Sequence, residues 1–130
     1  MPDQKPKLFH VDDEDGILKL MKRLLSNDFE MKQSSNLEEA LPILEKEDFD
    51  IYISDGLEGG WRKVYGTVRS KELVNGKDYS GCKPFIVHTS NLDTIEKVRK
   101  DMNYDKKLAL IQKPSDIFEL KEYILKLYKK

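Results

Sequence analysis

The chain has 130 residues, 36% of them charged and 38% hydrophobic, with a net charge of −1. That length suits one domain that removes roughly two-thirds of its unfolded surface from water, and the near balance of acids and bases gives no general attraction to nucleic acid or a membrane surface. The single Cys82 excludes an internal disulfide framework, the two histidines offer no zinc-ligand spacing, and the polar stretch Met1 to Lys7 is neither a signal peptide nor a membrane span.

In chain order, strand-like and helix-like segments alternate. Residues 1–6 are expected to be flexible. Leu8 to Val11 is a short apolar run, and the next segment places Ile17, Leu20, Met21, Leu24 and Leu25 on one helical stripe. Phe29, Met31 and Gln33 alternate with polar neighbours, as a half-exposed edge strand would. Asn36 is a candidate N-cap, with Glu39 three residues on, for a helix that buries Leu37, Ala40, Leu41 and Leu44. Pro42 removes one hydrogen bond at about 3 kcal/mol and predicts a kink or an irregular first turn.

Ile51 to Ser54 reads as a central strand buried on both faces, and Asp55 follows it at once. Gly56, Gly59 and Gly60 mark a flexible loop before Trp61, Val64, Tyr65 and Val68, which have helical spacing. After a polar stretch from Asn75 to Lys83, Phe85 to His88 forms a fourth strand. Ser90 or Asn91 caps a helix expected to bury Leu92, Ile95, Val98 and Met102. Leu108 to Ile111 is the last strand; Lys113-Pro114 ends it. Ser115 is the expected cap of a helix carrying Ile117, Leu120, Ile124 and Leu127 inward. The sum is an α/β domain of five βα units spanning 1–130, with no linker dividing it and no output domain.

The polar residues at the strand ends carry the chemistry. If the runs are parallel strands, Asp12, Asp13, Asp55, Thr89 and Lys113 meet at one edge of the sheet, where open α/β folds place their sites. Carboxylates brought within about 4–6 Å repel, and Mg²⁺ resolves the conflict, being a hard cation that binds through one or two carboxylates, waters and phosphate. Asp13 and Asp55 are the expected direct ligands, Asp12 a water-mediated one, and the backbone carbonyl of Leu57 a further oxygen. Asp55 is then the nucleophile toward phosphorus, Lys113 pairs with a phosphoryl oxygen, and the Thr89 hydroxyl donates to another.

Through Val11-Asp12-Asp13-Glu14, the Ile51-to-Asp55 strand end, Thr89-Ser90 and Lys113-Pro114, the chain resembles the receiver domain of two-component response regulators over essentially its full length. The resemblance implies a flavodoxin-like, doubly wound parallel sheet of order 2-1-3-4-5. It also implies Mg²⁺-dependent phosphorylation of Asp55 by a histidine kinase or histidine phosphotransfer protein. Thr89 and the helix after it would then report the new charge. Such a stand-alone receiver would be cytoplasmic, act as a monomer or a phosphorylation-dependent dimer, and signal through a downstream protein rather than nucleic acid or membrane insertion.

Three departures stand against the family pattern. Receivers usually carry Met-Pro three and four residues after the acceptor, where this chain has Glu58-Gly59; the 34 positions from Asp55 to Thr89 exceed the usual spacing; and Leu110 occupies the place of an aromatic switch residue. His10 and His88, within predicted strands, read as hydrogen-bonded packing. Trp61 reads as core cover, with a gate over the site as the alternative. Two further readings remain. A pseudo-receiver adaptor would bind a partner without phosphate. A haloacid-dehalogenase-like phosphatase is suggested by Asp13 to Leu18 and Thr89-Ser90-Asn91, but lacks the paired acids such enzymes need beyond the lysine.

Overall fold

The computed structural model describes residues 5–74, 78–113 and 116–129. Five strands, β1 (Lys7–Val11), β2 (Glu30–Ser34), β3 (Ile51–Asp55), β4 (Phe85–Thr89) and β5 (Leu108–Gln112), alternate with α1 (Asp15–Leu25), α2 (Leu37–Lys46), α3 (Trp61–Val74), α4 (Leu92–Asp101) and α5 (Ile117–Lys129). All neighbouring strands pair in parallel in the order β2-β1-β3-β4-β5. This is the five-unit doubly wound sheet expected from the sequence. The half-polar β2 lies on an edge and the apolar β3 at the centre, as their burial patterns require.

Two apolar layers sandwich the sheet. Phe9, Val11, Tyr52, Phe85 and Val87 pack with Ala40, Leu44, Trp61, Val64 and Val98 from α2, α3 and α4. Leu8, Ile51, Ile53, Ile86 and Ala109 pack with Met21, Leu25, Leu120 and Ile124 from α1 and α5. Alternation along β1 sends Leu8 and Phe9 to opposite layers, the period-two signature of a strand covered on both faces.

Several local expectations change. Pro6 is not loose: its carbonyl accepts the Glu30 N–H at 2.9 Å, so the ladder begins one residue before β1. Helix α2 runs unbroken through Pro42 after Asn36 caps the Glu39 N–H at 2.9 Å. Pro42 lies on the exposed face, where water can satisfy the carbonyl it leaves unbonded. Leu92 is 77% exposed rather than buried; the first turn of α4 instead buries Thr94, which faces the loop at Gly56 rather than the apolar layer. The Ser115 cap and Pro114, the residues from Asn75 to Lys77 and the side chain of Ile117 lie outside the described residues. Asp116 performs the capping of α5, accepting the Phe118 and Glu119 N–H groups at 2.9 and 3.1 Å.

At the opposite end of the sheet from Asp55 lies a charged brace that sequence patterning does not reveal. Arg69, 3% exposed, donates through Nε to Asp105 Oδ2 at 2.8 Å and through Nη1 to Glu72 Oε1 at 2.7 Å. The Tyr65 hydroxyl donates to the same Asp105 oxygen at 2.6 Å, and the Lys107 and Lys83 N–H groups donate to Asp105 and Glu72. The brace ties α3 to the approaches of β4 and β5 across the long α3–β4 connection. Removing one partner of a buried pair strands the other charge, which costs about 3–5 kcal/mol. Asp105→Ala is therefore expected to lose stability on that order in urea unfolding, while Val74→Ala, at an exposed position, changes little.

Candidate functional site

Parallel pairing brings the ends of β1, β3, β4 and β5 to one edge, and with them Asp12, Asp55, Thr89 and Lys113. Asp12 is fully buried; its Oδ1 accepts the Glu14 N–H at 2.8 Å and its Oδ2 lies 3.1 Å from Lys113 Nζ. The same ammonium lies 3.0 Å from Asp55 Oδ1 and 3.5 Å from Glu14 Oε1. Lys113 itself is held by its backbone N–H, which donates to the Thr89 carbonyl at 2.9 Å just past the end of β5. Four of the five residues predicted from strand ends thus meet at this edge.

Asp12, Asp13 and Asp55 each offer an oxygen within 4.8 Å of the others. Burial and proximity together raise the pKa values of Asp12 and Asp13. Burial pushes the Asp12 carboxyl up to about 6, and the Asp55 charge adds to the rise while the Glu14 N–H and Lys113 oppose it. Asp13, though exposed, is raised first by desolvation and then by its hydrogen bond to Asp55 and that group's charge. Burial works against the Lys113 ammonium, yet hydrogen bonds to Asp55 and Asp12 and their charges hold its pKa above the ordinary value. The hard-oxygen donor set and its mutual repulsion fit a divalent cation.

The loop after Asp55 differs from a flexible glycine linker. It forms a 3-10 turn at Leu57–Gly59 with Leu57 and Glu58 both left-handed, φ 50° and 53°. For non-glycine residues that conformation costs about 1–2 kcal/mol each, so the turn holds only because its surroundings fix it. A Cβ on Gly56 would stand 2.9 Å from Thr89 Oγ1, and one on Gly60 2.7 Å from Leu37 Cδ1 and 3.0 Å from the Leu57 carbonyl oxygen, so a side chain at either end would have to displace its neighbours. The Leu57 carbonyl accepts the Gly60 N–H at 2.9 Å, which commits one of its lone pairs within the turn. Trp61 is fully buried among α3 core residues and does not lie over the site as a gate. Thr89, 3% exposed, accepts the Asn91 N–H at 3.1 Å, and Asn91 caps α4 through the Thr94 N–H at 3.0 Å.

His10 and His88 sit on the α1–α5 side, two residues beyond Leu8 and Ile86. Burial is the main cause that drives their pKa values down to about 3 and about 4, with Lys113 adding to the effect. They are neutral packing groups beneath the acidic cluster. The Gln33 amide fixes His10: its nitrogen donates to the Leu18 carbonyl at 2.7 Å and meets His10 Nδ1 at 3.1 Å. Glu14, to which sequence reading assigned no role, is the addition to the site. Its one signal was adjacency to the Asp12-Asp13 pair.

No family model matches the chain, and no curated protein matches it by sequence. Solved structures do. A signal receiver domain of an HD domain-containing protein from Pseudomonas fluorescens Pf-5 is similar at 19% identity, covering 99% of this chain and 90% of that one, with a TM-score of 0.75. The chemotaxis response regulator CheY4 of Vibrio cholerae is similar at 20% identity, 95% and 99% coverage, and a TM-score of 0.74. This chain has the receiver-domain fold. A structure of an adenylate cyclase from Rhodopirellula baltica shares that fold at 23% identity, with 96% and 88% coverage and a TM-score of 0.69.

The buried histidines generate a pH prediction for the metal-free protein. A histidine whose folded pKa is depressed adds stability that is complete above its unfolded pKa of 6.5 and is lost as pH falls toward the folded value. Asp12, raised to about 6, acts in the opposite sense and relieves strain as pH falls from 6 toward 4. Between pH 6 and 4, wild type is therefore expected to lose about 1 kcal/mol per pH unit relative to His10→Leu. Urea unfolding of both proteins across that range checks it.

Proposed function

We propose that this receiver-fold protein is a phosphoacceptor of two-component signalling, taking a phosphoryl group on Asp55 from a phosphohistidine. The observation that carries the reading is the Lys113 ammonium bridging Asp12 and Asp55 at 3.1 and 3.0 Å, with Asp13 completing an oxygen cluster on the same sheet edge. An adaptor needing only the fold has no use for repelling carboxylates at one point. Asp12, Asp13 and Asp55, with a Leu57 carbonyl lone pair, would hold Mg²⁺. When bound, the cation supplies charge neutralisation between carboxylates and phosphoryl oxygens.

Under this reading the transfer uses the chain's own groups. An Asp55 carboxylate oxygen attacks phosphorus and forms an O–P bond as the P–N bond to the donor imidazole breaks. The imidazole leaves with the electron pair and takes its proton from solvent. Lys113 exchanges its contact with Asp55 Oδ1 for a phosphoryl oxygen. The Thr89 hydroxyl, beside Gly56, donates to another. Partners are a histidine kinase or phosphotransfer protein upstream and a protein target downstream. No helix among the described residues is long and apolar enough to cross a membrane.

Incubation with a small acyl-phosphate donor followed by intact-protein mass spectrometry is expected to show one added phosphoryl group, only with Mg²⁺ present. Asp55→Asn should abolish the increment and Asp13→Asn should slow it. Equal labelling of wild type and Asp55→Asn would refute the assignment. Sustained phosphomonoester turnover that survives Asp55→Asn would instead favour a phosphatase.

The braced loop predicts where the signal travels. The new group adds roughly two negative charges and acceptor oxygens that draw on Thr89. Because Gly56 abuts both Thr89 and Thr94, and Gly60 abuts Leu37, displacement of Thr89 is passed to the turn and to the first turns of α4 and α2. Leu110 offers no aromatic ring to exchange sides. Amide-exchange protection is expected to change at residues 56–61 and 89–93 on phosphorylation; a change confined to 108–111 would place the route in β5 instead.

A further inference from the structure

The last turn of α4 and its connection to β5 expose positive charge that nothing balances. Arg99, Lys100, Lys106 and Lys107 lie close in sequence, and among the described residues none of their side chains has a carboxylate within 4.0 Å. The two acids of the stretch are already engaged from α3: Asp101 lies 3.3 Å from Arg62 Nη2 and Asp105 2.8 Å from Arg69 Nε. Nearer the start of α4, by contrast, Lys97 pairs with Asp93 at 3.0 Å. Between the two basic pairs stands Tyr104, 78% exposed. The connection is not loose. The Asn103, Tyr104 and Asp105 N–H groups donate to the carbonyls of Lys100 and Asp101 at 3.0–3.2 Å, and Asp105 Oδ1 accepts the Lys107 N–H at 2.9 Å.

Helix stability accounts for part of this. Basic residues in a last turn interact favourably with the helix dipole, which suits Arg99 and Lys100. Lys106 and Lys107 lie beyond the helix, and a ring left in water adds nothing to the core. Tyr and Arg are common binding hot spots, and a backbone already fixed in its bound shape loses little entropy on docking. Four unpaired cations call for an anionic partner. A nucleic acid would run past so small a patch onto a chain of net charge −1, and one exposed ring is too little to seat a membrane. We infer that the end of α4 and the α4–β5 connection dock an acidic segment of a partner protein, its carboxylates meeting the four cations and an apolar side chain covering Tyr104. The patch lies about 15 Å from the site end of α4, the length of ten helical residues, so its occupation does not depend on the chemistry at Asp55.

A short synthetic peptide of glutamates with one tryptophan serves as the probe, titrated into the full chain while amide chemical shifts are followed. Shifts are expected to concentrate at residues 99–107 and to saturate, with a Kd that rises with salt. Lys106→Glu together with Lys107→Glu should raise Kd about tenfold or more, since each replaces attraction by repulsion. Tyr104→Ser should raise it about fivefold. Lys22→Glu together with Arg23→Glu makes the same change of charge in the last turn of α1 and should alter Kd far less. Failure to saturate, shifts scattered over the surface, or equal weakening by the α1 pair would overturn the inference, the last because net charge alone would then explain binding. Tighter binding of a thymidine oligonucleotide, or of phosphatidylserine vesicles, at the same residues would overturn it in favour of a nucleic acid or a membrane.

Discussion

Four carboxylates and one ammonium share the C-terminal edge of the sheet, and the geometry around them follows from keeping that charge balance tolerable. Lys113 lies within 3.5 Å of Asp12, Glu14 and Asp55, and its side chain is only 12% exposed. At such separations outside bulk water, its contacts with Asp12 and Asp55 are worth more than they would be on an open surface. One ammonium still cannot neutralise the cluster; the pKa values of Asp12 and Asp13 are raised first by burial, and the Asp55 charge adds to both. A site in that condition is poised to take up a cation.

The scaffold supports this edge from below and beside. Beneath it, two neutral imidazoles and the apolar α1–α5 layer keep the Asp12 environment dry, which raises its pKa and strengthens the Lys113 contacts. Beside it, the left-handed turn at Leu57 and Glu58 is clamped between the Thr89 and Thr94 hydroxyls and Leu37, with buried Trp61 as its anchor. A turn that is unfavourable in isolation and held by contacts on both ends transmits displacement of either end. At the far end of the sheet, the Arg69–Asp105 brace ties α3 to the approach to β5.

The strand ends were the legible part of this chain. Each of Asp12, Asp55, Thr89 and Lys113 follows an apolar run, and a parallel sheet has one edge where such residues can meet, so their convergence was readable before any coordinates. Helix caps at Asn36 and Asn91 were readable for the same local reason. Leu92 misled because helical spacing says which residues share a stripe but not how far the covering layer extends; the first turn of α4 faces a loop. Pro42 misled because its effect depends on whether the unbonded carbonyl faces water, a matter of burial that propensity does not contain.

By itself the sequence determined the five βα units, the two-sided burial of β3, the half-exposed edge at β2 and the polar residues at the strand ends, because these depend on periodicity and on residues adjacent in the chain. Only the tertiary structure decided that Arg69 and Asp105, 36 residues apart, form a buried pair, since charged residues in isolation read as solvated surface. It likewise decided that Glu14 turns toward a lysine 99 positions away rather than capping its own helix. In each case a side chain chose a partner brought near by the sheet over the water or local backbone that the sequence offered it.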